Sequence, residues 1–220
     1  AFVFDSSDRL QHVFWEEKIL KKQANKNSIA INKAVEEYWI DKDKFLGKVL
    51  RELDNETLLI IVSDHGFTSF ERAVSLNTWL VKNGFMALKK EIGDEEGALF
   101  QYVDWSKTKA YALGFNSIYI NLKNREPEGI VKNKEEVIQE IITKLESLKD
   151  KKSGKNVVNK AYKSSEIYSG DYVNNAPDII VGYNPGYRAS WQTAIGGFAK
   201  EILTDNEKAW DGDHLVDPVF

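Results

Sequence analysis

The chain has 220 residues, 42% of them hydrophobic, with 30 basic and 34 acidic side chains and a net charge of −4. This apolar content excludes a disordered chain, and the length fits one domain or a large part of one, with two small domains the alternative. The absence of cysteine excludes a disulfide scaffold, thiolate metal sites, iron–sulfur clusters and a cysteine nucleophile, and without a basic excess no nucleic-acid-binding surface is evident.

Residues 1–4, Ala-Phe-Val-Phe, read as a short buried strand. So abrupt an apolar start implies a chain cut just upstream of a buried element. The polar cluster 5–8 suits a turn or helix cap, and the pattern is helical from Arg9 through Phe14 and Trp15. Residues 18–27 are lysine-rich and read as a solvated loop. Over 28–53, Ile31, Ala34, Val35, Tyr38, Trp39, Phe45, Leu46, Val49, Leu50 and Leu53 recur at threes and fours, predicting a long amphipathic helix. The continuous apolar run 57–62 predicts a central strand covered on both faces. A helix feeding such a strand is an α/β signature, with a mostly parallel sheet.

Residues 63–67 read as a polar loop at that strand's C-terminal end. A short helix over 76–83 should stop at Gly84. A strand is expected at 85–88, a polar loop over 89–97, short strands at 110–113 and 117–122, and an amphipathic helix over 134–148. Residues 149–156 form a charged turn, 157–162 and 178–183 read as strands, and the glycine- and aromatic-rich tail from 184 looks irregular. No apolar run approaches the roughly 20 residues of a membrane span, and no signal peptide is visible, which fits a cytoplasmic location. Oligomeric state is not legible.

His12, His65 and His214 are the only histidines, and each follows an aspartate closely: Asp8 by four positions, Asp64 and Asp213 by one. A spacing of four on a helix puts Asp8 and His12 on one face. Asp64 and His65 sit just past the expected strand, where α/β sheets bind ligands. Nitrogen and oxygen ligands without thiolate suit zinc, manganese or iron. Each histidine taken alone is more often a surface or hydrogen-bonded residue than a ligand, and Asp-His after a strand also fits a helix cap; the three together point to a metal site. A Ser63-Asp64-His65 triad is disfavoured because sequence neighbours rarely converge as a triad requires.

The run Ile60-Ile61-Val62-Ser63-Asp64-His65-Gly66-Phe67 resembles the alkaline phosphatase superfamily, and within it the type I phosphodiesterase and nucleotide pyrophosphatase group. Asp8-Arg9-Leu10-Gln11-His12 matches that group's D-x-x-x-H element, and Gly212-Asp213-His214 its late histidine. The segments 104–111 and 176–181 resemble microbial members as well. The resemblance implies a three-layer α/β fold with a central mostly parallel sheet, here as one domain lacking its N-terminal part.

It further implies two divalent metal ions, zinc foremost and manganese as the alternative. Asp8, His12 and His214 would hold one. Asp64 and His65 would hold the other, together with an Asp and a nucleophilic Ser or Thr that the family carries N-terminal to D-x-x-x-H. No catalytic nucleophile is therefore expected within these residues, and the chain alone should be inactive. The expected partner is a small-molecule phosphoester. Alternatives are another superfamily reaction (phosphomonoesterase, sulfatase, metal-dependent phosphoglycerate mutase) or a non-catalytic binding module. Asn116, Asn121, Arg125, Tyr187, Arg188, Trp191 and Thr193 are candidate pocket residues, with structural use the favoured reading.

Overall fold

The computed structural model describes residues 1–19, 26–91 and 98–215. In chain order the elements are α1 (Ser6–Ile19), α2 (Lys26–Glu52), β1 (Gly66–Val74), α3 (Leu76–Lys82), β2 (Ala110–Ala112), β3 (Ser117–Ile120), α4 (Lys134–Glu146), β4 (Val158–Lys163), the single turn α5 (Ser164–Ile167), β5 (Ile179–Tyr183), β6 (Gly186–Ala189), the single turn α6 (Trp191–Ala194), β7 (Leu203–Asp205) and β8 (Gly212–Leu215). The chain is thus mixed α/β. It divides into two compact units, Ala1–Phe70 with Glu207–Phe220, and Glu71–Asn206.

In the first unit α1 packs against α2 and β8. The first half of β1 pairs antiparallel with β8, in the register Gly66↔Leu215 to Ser69↔Gly212. Among the described residues, only Val35 and Phe70 are buried apolar side chains of this unit. Two expectations fail here. Residues 1–4 are not a buried strand: Phe2, Val3 and Phe4 are exposed, the rings of Phe2 and Phe4 meet Phe45 edge to face, and Lys42 Nζ lies over the Phe4 ring. The run 57–62 is not a strand either: it has no ladder partner among the described residues, and Ile61 is 71% exposed. The physical reason is shared. A run apolar on both faces becomes a central strand only when neighbouring strands are present, and among the described residues no strand pairs with either segment.

The second unit holds a contiguous hydrophobic core. Its sheet has the order β2-β3-β5-β4, antiparallel throughout. β2 and β3 form a hairpin that turns through Gly114 at φ +81°. α4 buries Ile138, Ile141, Ile142 and Leu145, one stripe at helical spacing, against β3 and β4. Each such side chain contributes about 1.5–3 kcal/mol by leaving water. α3 buries Leu76, Trp79 and Leu80 and ends as the sequence predicts. Gly84 takes φ +76°, while the amides of Gly84 and Phe85 close back on the carbonyls of Val81 and Leu80. The second half of β1 pairs antiparallel with β7.

The expected mostly parallel sheet is not seen in these ladders. Residues 85–88 form no strand: Phe85 and Met86 are buried in a bend, and half-buried Leu88 makes one isolated bridge to Val103. The tail from 184, expected irregular, carries β6 to β8. The central parts of the expected loops, 20–25 and 92–97, lie outside the described residues.

Candidate metal centre

The histidines meet in the first unit. α1 carries Asp8 in its first turn and His12 one turn later, on the same face. His65 immediately precedes β1. His214 lies on β8 opposite Phe67, so the ladder between β1 and β8 sets the second and third histidines side by side. Their rings stack, with centroids 3.7 Å apart and planes 24° off parallel.

Asp8 is the hub. Its Oδ1 lies 2.9 Å from His214 Nε2, 3.7 Å from His12 Nε2 and 3.8 Å from His65 Nε2. His12 Nε2 is 3.1 Å from His214 Nε2. Ligand atoms of Asp8, His65 and His214 fall within 4.8 Å of one another. All four side chains are partly exposed, so the cluster is open to solutes.

The far sides of two rings are held by backbone carbonyls. His12 Nδ1 is 2.8 Å from the Gly212 carbonyl, and His65 Nδ1 is 3.1 Å from the Gly66 carbonyl. A carbonyl only accepts, so each Nδ1 donates to it, which leaves the Nε2 of each ring facing Asp8. Fixing the tautomer by a backbone carbonyl behind the ring is the usual support of a metal-binding imidazole. The edges of Phe67 and Trp210 close the apolar side of His12, at centroid distances of 5.0 and 5.8 Å. Asp8, His65 and His214 offer one carboxylate oxygen and two imidazole nitrogens within reach of one another, and this sulfur-free donor set fits zinc or manganese.

Of the sequence candidates, Asp8, His12, His65 and His214 are brought together. Asp64 is not drawn in to the same degree: its side chain is 90% exposed and approaches His65 Nε2 at 3.7 Å. Ser63 Oγ donates to the His65 main-chain carbonyl at 2.7 Å rather than facing the ring, which removes the triad geometry. Several pocket candidates have structural partners. Arg125 binds Asp178, Tyr187 binds Asp150, and Thr193 caps the amide of Leu76. Sequence reading missed Phe67, Trp210 and Asp211. The only signal for Asp211 was its place two residues ahead of Asp213 in Trp210-Asp211-Gly212-Asp213-His214.

The sequence model of the type I phosphodiesterase / nucleotide pyrophosphatase family matches residues 1–208, and so draws on both compact units. The chain belongs to that family. Comparison with curated proteins and with solved structures returned no significant match. Membership in the phosphodiesterase family agrees with the resemblance read from the motifs. It gives phosphoric ester hydrolysis as the general kind of function and a small molecule as the kind of substrate. Among the described residues, no helix is long and apolar enough to cross a membrane.

Proposed function

We propose that this chain is the histidine-bearing part of a metal-dependent phosphodiesterase or nucleotide pyrophosphatase, and that both compact units belong to one catalytic domain. The observation that carries the reading is the convergence of the Nε2 atoms of His12, His65 and His214 on Asp8, with two rings held by carbonyls behind them. Asp8, His12 and His214 would hold one divalent cation, zinc before manganese. Asp64 and His65 would hold a second, completed by an Asp and a nucleophilic Ser or Thr from outside residues 1–220. When bound, such cations supply Lewis-acid stabilisation of charge on phosphoryl oxygens.

The residues present do the rest by position. Asp8 contributes the negative charge that makes a cation welcome among three imidazoles. The Gly212 and Gly66 carbonyls hold the His12 and His65 rings, so little ordering remains when a ligand arrives. Phe67 shields the rings from one side. The exposed apolar run 57–62 supports placing the rest of the site elsewhere: we propose that it becomes the central parallel strand when paired with a segment beyond residues 1–220.

The grouping of Asp8 with His65 and His214 favours a second allocation, in which those three share one ion. His12→Ala abolishes uptake under the first allocation, and His65→Ala under the second. Turnover tests the functional reading. The 220-residue chain should hydrolyse a nitrophenyl phosphodiester no faster than His214→Ala; robust turnover would refute the proposed outside nucleophile.

A further inference from the structure

Asp211, the residue before β8, enters the hydrogen-bond ladder of α1. The helix leaves helical geometry at Phe14, with φ −125° and ψ 27°. In a regular helix the Trp15 amide would donate to the Gln11 carbonyl, four residues back. Instead it donates to Asp211 Oδ1 at 2.9 Å. The His12 carbonyl accepts from the Asp211 amide at 3.1 Å. One residue thus supplies an acceptor and a donor to helix groups on either side of the kink. On its other side the Asp211 carbonyl accepts from the Phe70 amide at 2.6 Å.

The next residue explains why the approach is so close. A Cβ on Gly212 would lie 2.1 Å from the Gln11 carbonyl oxygen and 3.0 Å from Trp15 Cβ. With no side chain there, the Gly212 carbonyl reaches His12 Nδ1. Two residues further on, His214 joins the cluster.

We infer that Asp211 is a positioning residue for the histidine cluster: it splices the β8 strand into the kink of α1, so that the Gly212 carbonyl holds His12 with Nε2 facing Asp8 and His214. The inference rests on reading the cluster as a metal centre. Two features argue for a site role beyond simple packing. The splice falls within three residues of His12 on one chain segment and of His214 on the other. Its product is also a defined ring tautomer.

The test uses zinc as probe on the 220-residue protein, with affinity measured by competition against a chromophoric chelator. The tautomer of His12 is read from imidazole nitrogen shifts in the metal-free protein. Asp211→Ala should weaken zinc binding by about tenfold or more and mix the His12 tautomers. Asp211→Asn keeps an oxygen acceptor for the Trp15 amide and should bind within about threefold of wild type. Zinc binding by Asp211→Ala equal to wild type, with unchanged His12 shifts, would overturn the inference. If Asp211→Ala does not fold, amide exchange in the wild type decides instead. Protection at Trp15 matching the α1 amides before the kink supports the splice, and free exchange there overturns it. Wild type that binds zinc no better than His214→Ala overturns the metal reading. The tautomer shifts still report on the splice in that case, so the two failures are distinguishable.

Discussion

Replacing Asp150 by Asn removes one buried charge from the second unit while keeping its shape and an acceptor oxygen. Asp150 is 1% exposed. Its carboxylate accepts from the Arg72 guanidinium, the Lys152 amide at 2.8 Å, the Tyr187 hydroxyl at 3.0 Å and the Ser153 hydroxyl at 3.2 Å. Burial pushes this carboxyl up, but Arg72 and the other donors more than offset that and hold it down at about 2, against an ordinary 3.8. A lowered carboxyl stabilises the fold fully above its unfolded value. That contribution is lost as pH falls from there through the folded value, because the unfolded chain takes up a proton the folded one refuses. The drop from 3.8 to about 2 converts to about 2.5 kcal/mol at most, and screening at the partly exposed edge of the network reduces this to about 1–2 kcal/mol. Urea unfolding followed by tryptophan fluorescence, stepped from about pH 7 to about pH 2, should therefore show wild type more stable than Asp150→Asn by that margin at neutral pH. The gap should narrow as pH falls from about 4 to about 2. Parallel stability curves for the two proteins would refute the assignment of the lowered carboxyl to this network.

Other substitutions probe the two units separately. Leu80→Ala empties a fully buried position of α3 and should cost about 2–5 kcal/mol in the same unfolding assay; a loss below about 1 kcal/mol would mean the core there is not packed as described. Ile60→Ser combined with Ile61→Ser alters exposed side chains, so stability should change by no more than about 0.5 kcal/mol per site while self-association in light scattering falls. A large destabilisation would show that the run 57–62 is packed in the 220-residue chain.

Much of the fold was legible where one segment's pattern settles its own structure. The isoleucines and leucines at helical spacing marked α4, the apolar run before Asn83 and Gly84 marked α3 and its stop, and Gly114 between short alternating runs marked the β2–β3 hairpin. What failed depended on partners. Residues 1–4 and 57–62 carry strand sequence, but strand formation needs a neighbour. β1 was missed because Glu71 and Arg72 interrupt its apolar pattern; their surroundings, with Arg72 bound to Asp150 and Asp205, make them acceptable in a strand. The short strands of the tail are likewise defined by what they pair with.

The candidate site divides the same way. Asp8 and His12 could be placed together from their spacing alone, and His65 and His214 from their motifs. Asp64 could not be placed, since adjacency to His65 in sequence sends alternate side chains in different directions. Asp211 carries no motif of its own. Its part follows from hydrogen bonds to residues nearly two hundred positions away, a distance at which no local pattern speaks.

The most direct test of the metal-centre reading is the zinc content of the 220-residue protein against that of His214→Ala, each loaded with zinc, dialysed and measured by elemental analysis. His214 belongs to both ligand allocations, so the comparison does not depend on which of them holds. The account predicts about one zinc retained per wild-type chain and almost none in the variant. Equal zinc content in the two proteins would contradict it.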